Sequence, residues 1–369
     1  MRDSHKIAQR MAKMDASGIR KVFDLAAKLK DPINLSIGQP DFDVPEPAKQ
    51  AAIEAIQAGF NKYTQTQGTA ELRQAVAEQC RREFGWADDR LYLITSGTSG
   101  ALMLALLTLV DPGDEVLFTD PYFVMYSHLA RLAGGEPVAV DTYPHFRPDV
   151  TKIADAITSR TRMLILNSPS NPTGAVYTER ELKDIAELAR KHELLIVSDE
   201  IYDQFCYDVP FASIASYYDN VLLMRGLSKT YAMTGWRVGW CTGPRSIIEK
   251  MTMLQQYSFV CAPSMAQVAA VKALQLDVSP YIDAYRRRRD MTFAALGEKF
   301  GLVKPQGAFY AFVPAPGGDA TAFVTRAIEH NVLIIPGNVF SSKNTHFRMC
   351  YTCDEAKLAQ GLEILQSLA

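Results

Sequence analysis

A chain of 369 residues with 48% hydrophobic content has ample material for a large core and leads one to expect about two domains. A formal net charge of -2 offers no positive field to nucleic acid or an anionic membrane. The longest apolar run, Ala101 to Val110, is about half a membrane span and reads as a buried helix. The six cysteines, at 80, 206, 241, 261, 350 and 353, are too scattered for a secreted disulfide scaffold. Met1 to Ser17 is charged where a signal peptide would be apolar, so a cytoplasmic protein with reduced thiols is expected. Cys350 and Cys353 form a C-x-x-C, but with no second pair and no paired histidines to complete four ligands, no metal is expected.

Taken in order, Ile19, Val22, Phe23, Leu25, Ala26 and Leu29 form one apolar stripe and predict a helix over Ile19 to Lys30, stopped by Asp31-Pro32. A short strand, Ile33 to Ile37, leads into the loop Gly38-Gln39-Pro40-Asp41-Phe42. Helical patterns at Pro45 to Ala58 and Thr69 to Phe84 flank a polar linker that holds Lys62-Tyr63. On its own Tyr63 reads as a half-exposed anchor. After the strand Leu91 to Ile94 come Thr95-Ser96-Gly97-Thr98-Ser99-Gly100 and the apolar helix. A strand, a small-residue turn and a helix N-terminus present N–H groups and hydroxyls to an anion. Such turns also serve packing alone, and the dinucleotide fingerprint G-x-G-x-x-G is not completed.

Strand patterns at Glu115 to Thr119, Pro137 to Asp141, Met163 to Asn167 and Leu194 to Ser198 alternate with helical stretches. That alternation predicts an α/β fold whose mostly parallel sheet lies between helices. Ligands of such sheets bind beyond the carboxyl ends of the strands. The turns Asp120-Pro121-Tyr122-Phe123 and Asn167-Ser168-Pro169-Ser170-Asn171-Pro172-Thr173-Gly174 fall there, as does Asp199 in Asp199-Glu200-Ile201-Tyr202. Asp199 either caps the next helix or faces a ligand.

Val221 to Arg225 and Val238 to Thr242 read as the last strands of this large unit, and between them runs Gly226-Leu227-Ser228-Lys229-Thr230-Tyr231-Ala232-Met233-Thr234-Gly235-Trp236-Arg237. Small, hydroxylated and aromatic neighbours penalise the ammonium form of Lys229 and favour a neutral amine able to attack a carbonyl. Arg237 supplies a fixed cation suited to a phosphate. A carbonyl-trapping lysine beside a phosphate-binding arginine points to pyridoxal 5'-phosphate (PLP). Asp199 then acquires a purpose, since a carboxylate facing the pyridine nitrogen keeps it protonated. Further on, Arg286 to Arg289 reads as a solvated face of the helix Tyr281 to Phe300. Strands at Ala308 to Val313, Val332 to Ile335 and Phe347 to Tyr351, with helices at Ala320 to Glu329 and Glu355 to Leu368, make a smaller α/β unit together with the N-terminal segment. Strand alternation alone would turn Arg348 to solvent.

From Ile33-Asn34-Leu35 through Arg348 the chain resembles the class I PLP-dependent aminotransferases, in particular their bacterial and archaeal aspartate/aromatic branch. The likeness rests on Ser228-Lys229 followed by Met233, Gly235, Arg237 and Gly239, on Asp199-Glu200-Ile201-Tyr202, on Gly38 to Phe42, and on Lys62-Tyr63 followed by Gly68. It implies the PLP-dependent transferase fold, with a large domain over 46–279 and a small one from 1–45 and 280–369. It implies that Lys229 carries the cofactor and moves the substrate Cα proton, that Asp199 pairs with the pyridine nitrogen, and that Asn171 and Tyr202 hold the phenolic oxygen. Phe123 would stack on the ring. Gly97, Thr98, Ser99, Ser228 and Arg237 would hold the phosphate, joined by Tyr63 from the partner of a homodimer. Gly38, Asn171 and Arg348 would bind substrate, Arg348 gripping the α-carboxylate. The bonds Asp120-Pro121 and Asn171-Pro172 would be cis.

One departure is Gly226, where relatives commonly carry a Ser or Thr that bonds the phosphate. The expected reaction moves the amino group of an L-amino acid to a 2-oxo acid such as 2-oxoglutarate. Between Met251 and Gln275 the only cation is Lys272, and Ser17 to Phe23 resembles members that accept aromatic and neutral donors, so a neutral or aromatic donor is expected. Alternatives are aspartate as donor, β-elimination of sulfur on the same fold, and an amino-acid-sensing module. The last is disfavoured because no helix-turn-helix or basic arm is attached.

Overall fold

The computed structural model describes residues 29–87 and 89–369, with 7, 8, 10, 11, 14 and 18 before them. The helix expected over Ile19 to Lys30 therefore lies outside the described residues except for Leu29 and Lys30, which are not helical. In chain order the strands are β1 (Ile33–Asn34), β2 (Tyr92–Thr95), β3 (Glu115–Asp120), β4 (Glu136–Asp141), β5 (Thr161–Asn167), β6 (Leu195–Asp199), β7 (Val221–Gly226), β8 (Gly239–Thr242), β9 (Tyr310–Pro314), β10 (Val332–Leu333), β11 (Ile335–Pro336) and β12 (His346–Cys350).

Seven of them build one sheet in the order β2-β8-β7-β6-β5-β3-β4. Strands β4, β3, β5, β6 and β7 are parallel, and only β8 runs against its neighbours. The near-continuous apolar runs of the central strands follow from burial on both faces. Side chains alternate along a strand, so Val116, Phe118, Met163, Ile165, Val197, Leu222 and Met224 enter one core while Leu117, Leu164, Leu166, Ile196 and Leu223 enter the other. The helix Gly97–Leu109 closes the first core with Ala101, Leu102 and Ala105.

From β3 the sheet winds outward to β4, and from β5 it winds the other way to β6 and β7. The reversal falls between β3 and β5, and a crevice is expected outside the carboxyl ends of the strands there. Those ends carry Asp120, Asn167 and Asp199. The peptides Asp120-Pro121 and Asn171-Pro172 are cis, as are Tyr143-Pro144 and Ser168-Pro169.

A three-stranded antiparallel sheet, β11-β12-β9, and the parallel pair β1-β10 make up the rest. The strand expected over Val332 to Ile335 is thus two: Leu333 pairs with Asn34, whereas Ile335 pairs with Arg348, and the chain changes sheet at Ile334. The expectation for Arg286 to Arg289 also needs correcting. In the helix Ser279–Phe300, Arg286 and Arg287 lie on the solvated face beside Asp283 and Glu355. Arg288 reaches Asp41 at 2.8 Å, and the fully buried Arg289 grips both oxygens of Asp208 at 2.9 Å.

A second buried cation lies close behind the sheet's carboxyl edge. Arg225 donates to Glu200 at 2.8 and 3.0 Å and to Glu83 at 2.6 and 2.7 Å, tying β7 to the turn after β6 and to the helix Ala70–Phe84. Burial pushes Glu200 up to about 7 against the opposing pull of Arg225. Arg225→Met leaves Glu200 and Asp203 buried without their cation, and is expected to destabilise the chain by about 3–5 kcal/mol. A thermal melt checks this, and an unchanged Tm refutes it.

Candidate active site

A cavity of about 270 Å³ opens at the reversal point between β3 and β5. Of the expected residues it is lined by Gly38, Thr98, Ser99, Phe123, Asn171, Asp199, Tyr202, Ser228, Lys229, Arg237 and Arg348. Gly97 sits just behind the wall, against Arg237, and Tyr63 is elsewhere. Its ring is 84% exposed, on a surface depression shared with Phe60 and Lys62.

Lys229 is reached through β7. That strand ends at Gly226, and a single turn of helix, Leu227–Thr230, carries the lysine into the cavity. Its amine donates to the carbonyl of Gly38 at 2.7 Å. Burial, with the nearby Arg348 and Arg237 charges adding to it, pulls the ammonium down to about 8. A useful share of the amine is therefore neutral near physiological pH.

Asp199 ends β6. One oxygen accepts from the Tyr126 hydroxyl at 2.8 Å, and the other accepts from the Ile201 N–H at 3.3 Å. The capping contact with Ile201 and exposure to the cavity therefore coexist. Burial raises the carboxyl to about 6 despite those hydrogen bonds and the Lys229 charge. Below Asp199, Asn167 donates to its carbonyl at 2.9 Å and accepts from the Asn171 N–H at 2.8 Å, which fixes the turn that presents Asn171.

At one corner, the N-terminal turn of Gly97–Leu109 faces Arg237. Gly97 has φ +66°, and a Cβ there would come within 2.6 Å of Arg237 Nη2. Arg237 itself holds the carbonyls of Thr234 at 2.9 Å and Ser96 at 3.2 Å, with no carboxylate partner among the described residues. With Thr98, Ser99 and Ser228 beside it, the corner combines a cation, hydroxyls and a helix N-terminus, the donor set for a phosphate. At Gly226, which carries no hydroxyl, a Cβ would sit tightly, 3.0 Å from Ile201 Cδ1 and 3.3 Å from Thr98 Cγ2, and would need those side chains to give by a few tenths of an ångström.

At the opposite corner, Arg348 is buried on β12 rather than turned to solvent. Every residue of β12 after His346 is buried, so alternation distinguishes two interiors there, not inside from outside. Arg348 donates to Asn171 Oδ1 at 3.0 Å and to the Ser36 carbonyl at 2.7 Å, and its guanidinium lies over Tyr310 at 4.6 Å and Phe340 at 4.4 Å. Its Nε is buried without a partner among the described residues, which leaves donor capacity for a ligand carboxylate.

Asn167 lines the cavity from the turn expected at the site, whereas Tyr126 and Tyr310 also line it and were not expected there. Tyr126 lies three residues beyond Phe123, so a helix starting at the Asp120 turn would have suggested it. Tyr310 carried no signal, since an aromatic in a strand reads as core.

The model of the aminotransferase class I and II family matches residues 30–365. Over 98% of this chain and 99% of its own length, the "Probable aspartate aminotransferase" of Methanocaldococcus jannaschii is 37% identical. The "Aromatic-amino-acid aminotransferase 2" of Thermococcus litoralis is 38% identical over 98% of each chain. Among solved structures, the aspartate aminotransferase of Thermus thermophilus with maleate superposes with a TM-score of 0.94 at 35% identity, covering 98% of this chain and 99% of that one.

Proposed function

Since the chain belongs to the class I and II aminotransferase family, and so is an aminotransferase with that family's PLP-dependent transferase fold, we propose that its cofactor is pyridoxal 5'-phosphate. The observation that carries this reading is one cavity holding a buried amine lowered to about 8, a buried carboxylate and an arginine with no carboxylate partner among the described residues. The donor set fits the group: Lys229 for its aldehyde, Asp199 for its pyridine nitrogen, Asn171 and Tyr202 for its phenolic oxygen, Phe123 for its ring face. Its phosphate falls to Gly97, Thr98, Ser99, Ser228 and Arg237. Bound there, PLP supplies an aldehyde that takes up the amino group and an electron-poor ring that disperses the charge left when the Cα proton departs.

The chain's own contribution is positional and acid–base. Arg348 and Asn171 hold the substrate α-carboxylate near Gly38, which fixes the Cα–H against Lys229. Lys229 takes the proton from Cα and later returns one. Asp199, kept ionised near neutral pH by Tyr126, holds a proton on the facing nitrogen. We assign 46–279 to a large cofactor-binding domain and 1–45 with 280–369 to a small domain.

Two subunits complete the site in this reading. Tyr63 is far too exposed for a tyrosine of a finished surface, and Phe60, Tyr257 and Phe259 are exposed as well. A homodimer that covers them and delivers Tyr63 to the partner's phosphate explains both facts. Scattered free cysteines support a cytoplasmic location.

The donor is an L-amino acid with a neutral or aromatic side chain. Among the described residues lining the cavity the cations are Lys229, Arg237 and Arg348, and each already has a role. A distal carboxylate would be desolvated without a partner, at a cost of several kcal/mol. The acceptor is a 2-oxo acid such as 2-oxoglutarate, whose distal carboxylate, one methylene further from the α-carbon than that of aspartate, would have to stay in water. Half-reaction rates decide. Phenylalanine or tyrosine is expected to exceed aspartate in kcat/KM by about tenfold or more, and the reverse order would make aspartate the donor.

A further inference from the structure

The sheet β11-β12-β9 brings one more side chain to the cavity than the proposed reaction uses. Tyr310, the first residue of β9, is 2% exposed. Its hydroxyl lies 2.8 Å from the hydroxyl of Tyr202, with the two rings nearly perpendicular and their centroids 5.7 Å apart. Its ring carries the Arg348 guanidinium at 4.6 Å. A Cβ on Gly38 would overlap the Tyr310 hydroxyl, so the glycine whose carbonyl holds the Lys229 amine is shaped around this tyrosine. One side chain thus touches the supports of the phenolic oxygen, the carboxylate and the lysine.

We propose that Tyr310 is a positioning residue for transamination: its hydroxyl donates to the Tyr202 oxygen and thereby turns the Tyr202 proton into the cavity, while its ring supports Arg348. The inference rests on the proposed placement of the cofactor's phenolic oxygen against Tyr202.

Each hydroxyl has one proton, and the pair can share only one of them. The direction follows from what faces each hydroxyl. Tyr202 is the one placed against the cofactor's phenolic oxygen, which has no proton to give, so the Tyr202 proton goes to that oxygen and the Tyr310 proton is left for the Tyr202 oxygen. Burial raises both phenols above the ordinary tyrosine range, so both keep their protons at neutral pH. An accepted hydrogen bond also polarises Tyr202 and strengthens the bond it gives.

The readout is the pH midpoint of the bound cofactor's visible absorption, measured on holoenzyme without substrate. A hydrogen bond to the phenolic oxygen favours its fully anionic state and lowers that midpoint, so Tyr202→Phe raises it. Tyr310→Phe keeps the ring under Arg348 and removes only the hydroxyl. It is expected to raise the midpoint by about half a unit to one unit and to lower kcat by about three- to tenfold, with KM for the amino acid unchanged. In a Tyr202→Phe background it should do neither. Tyr310→Leu should in addition raise KM by about tenfold through the lost support of Arg348. If Tyr202→Phe moves the midpoint and Tyr310→Phe does not, or if the two shifts simply add, this inference falls and the functional reading stands. If Tyr202→Phe itself leaves the midpoint in place, the placement of the cofactor at Tyr202 fails first, and the role of Tyr310 with it.

Discussion

Lys229→Ala is expected to lose transamination by about 10⁴-fold or more while the chain still folds and takes up PLP without a covalent bond. The lysine hydrogen-bonds only the Gly38 carbonyl among the described residues, and its buried charge is a burden on the fold, so its removal leaves packing intact. Two measurements make the assignment specific. Borohydride reduction of the wild-type holoenzyme followed by peptide mapping should place the pyridoxyl label on Lys229, and a label on any other lysine ends the argument. The rate at which the cofactor-free chain captures PLP should rise with pH and level off above about 8, because only the neutral amine attacks and the ammonium has been pulled down to about 8. A profile that climbs on toward the ordinary lysine value would mean that the amine is not desolvated in solution.

What could be read from the sequence, and what could not, follows from the range of the interactions involved. The central strands were legible because their apolar runs are local, and Lys229, Arg237 and Asp199 because each sits in a short segment whose composition makes no sense for a solvated side chain. Arg289 was misjudged as solvated because its partner Asp208 is 81 residues away. Arg225 was read only as a strand residue, since its partners Glu200 and Glu83 are 25 and 142 residues distant. A charge is buried only with its partner, and sequence does not reveal a partner so far off. Tyr310 was hidden for another reason. Strand periodicity tells one face from the other but does not tell a core from a cavity, and β9 is buried through its first four residues. The division of Val332 to Ile335 between two sheets was equally invisible, because Ile334 is as apolar as its neighbours and the change of partner lies in the pairing alone.

Asp199→Asn should separate catalysis from stability, moving them in opposite directions. Without a carboxylate facing it, the pyridine nitrogen is not held protonated, and kcat is expected to fall by about 10²–10⁴-fold. The cofactor-free chain should at the same time become more stable at pH 7.5. Asp199 titrates at about 6 in the folded chain against an ordinary value of 3.8, so the folded state binds its proton more tightly than the unfolded state does. The stability this group contributes is therefore fully present below about pH 4 and is lost as pH rises to about 6, after which the ionised carboxylate costs a constant amount. That displacement corresponds to about 3 kcal/mol. Asparagine removes that cost, while its Oδ1 still accepts from Tyr126. Part of the gain is returned, because Lys229 loses a neighbouring negative charge and gives up its proton at lower pH. Thermal melts of wild type and variant at pH 4 and pH 7.5 test this directly. The variant should melt higher at pH 7.5 and level with the wild type at pH 4, and a variant less stable by the same amount at both would show that Asp199 is held by its hydrogen bonds and carries no burden of buried charge. Turnover close to wild type would remove Asp199 from the chemistry altogether.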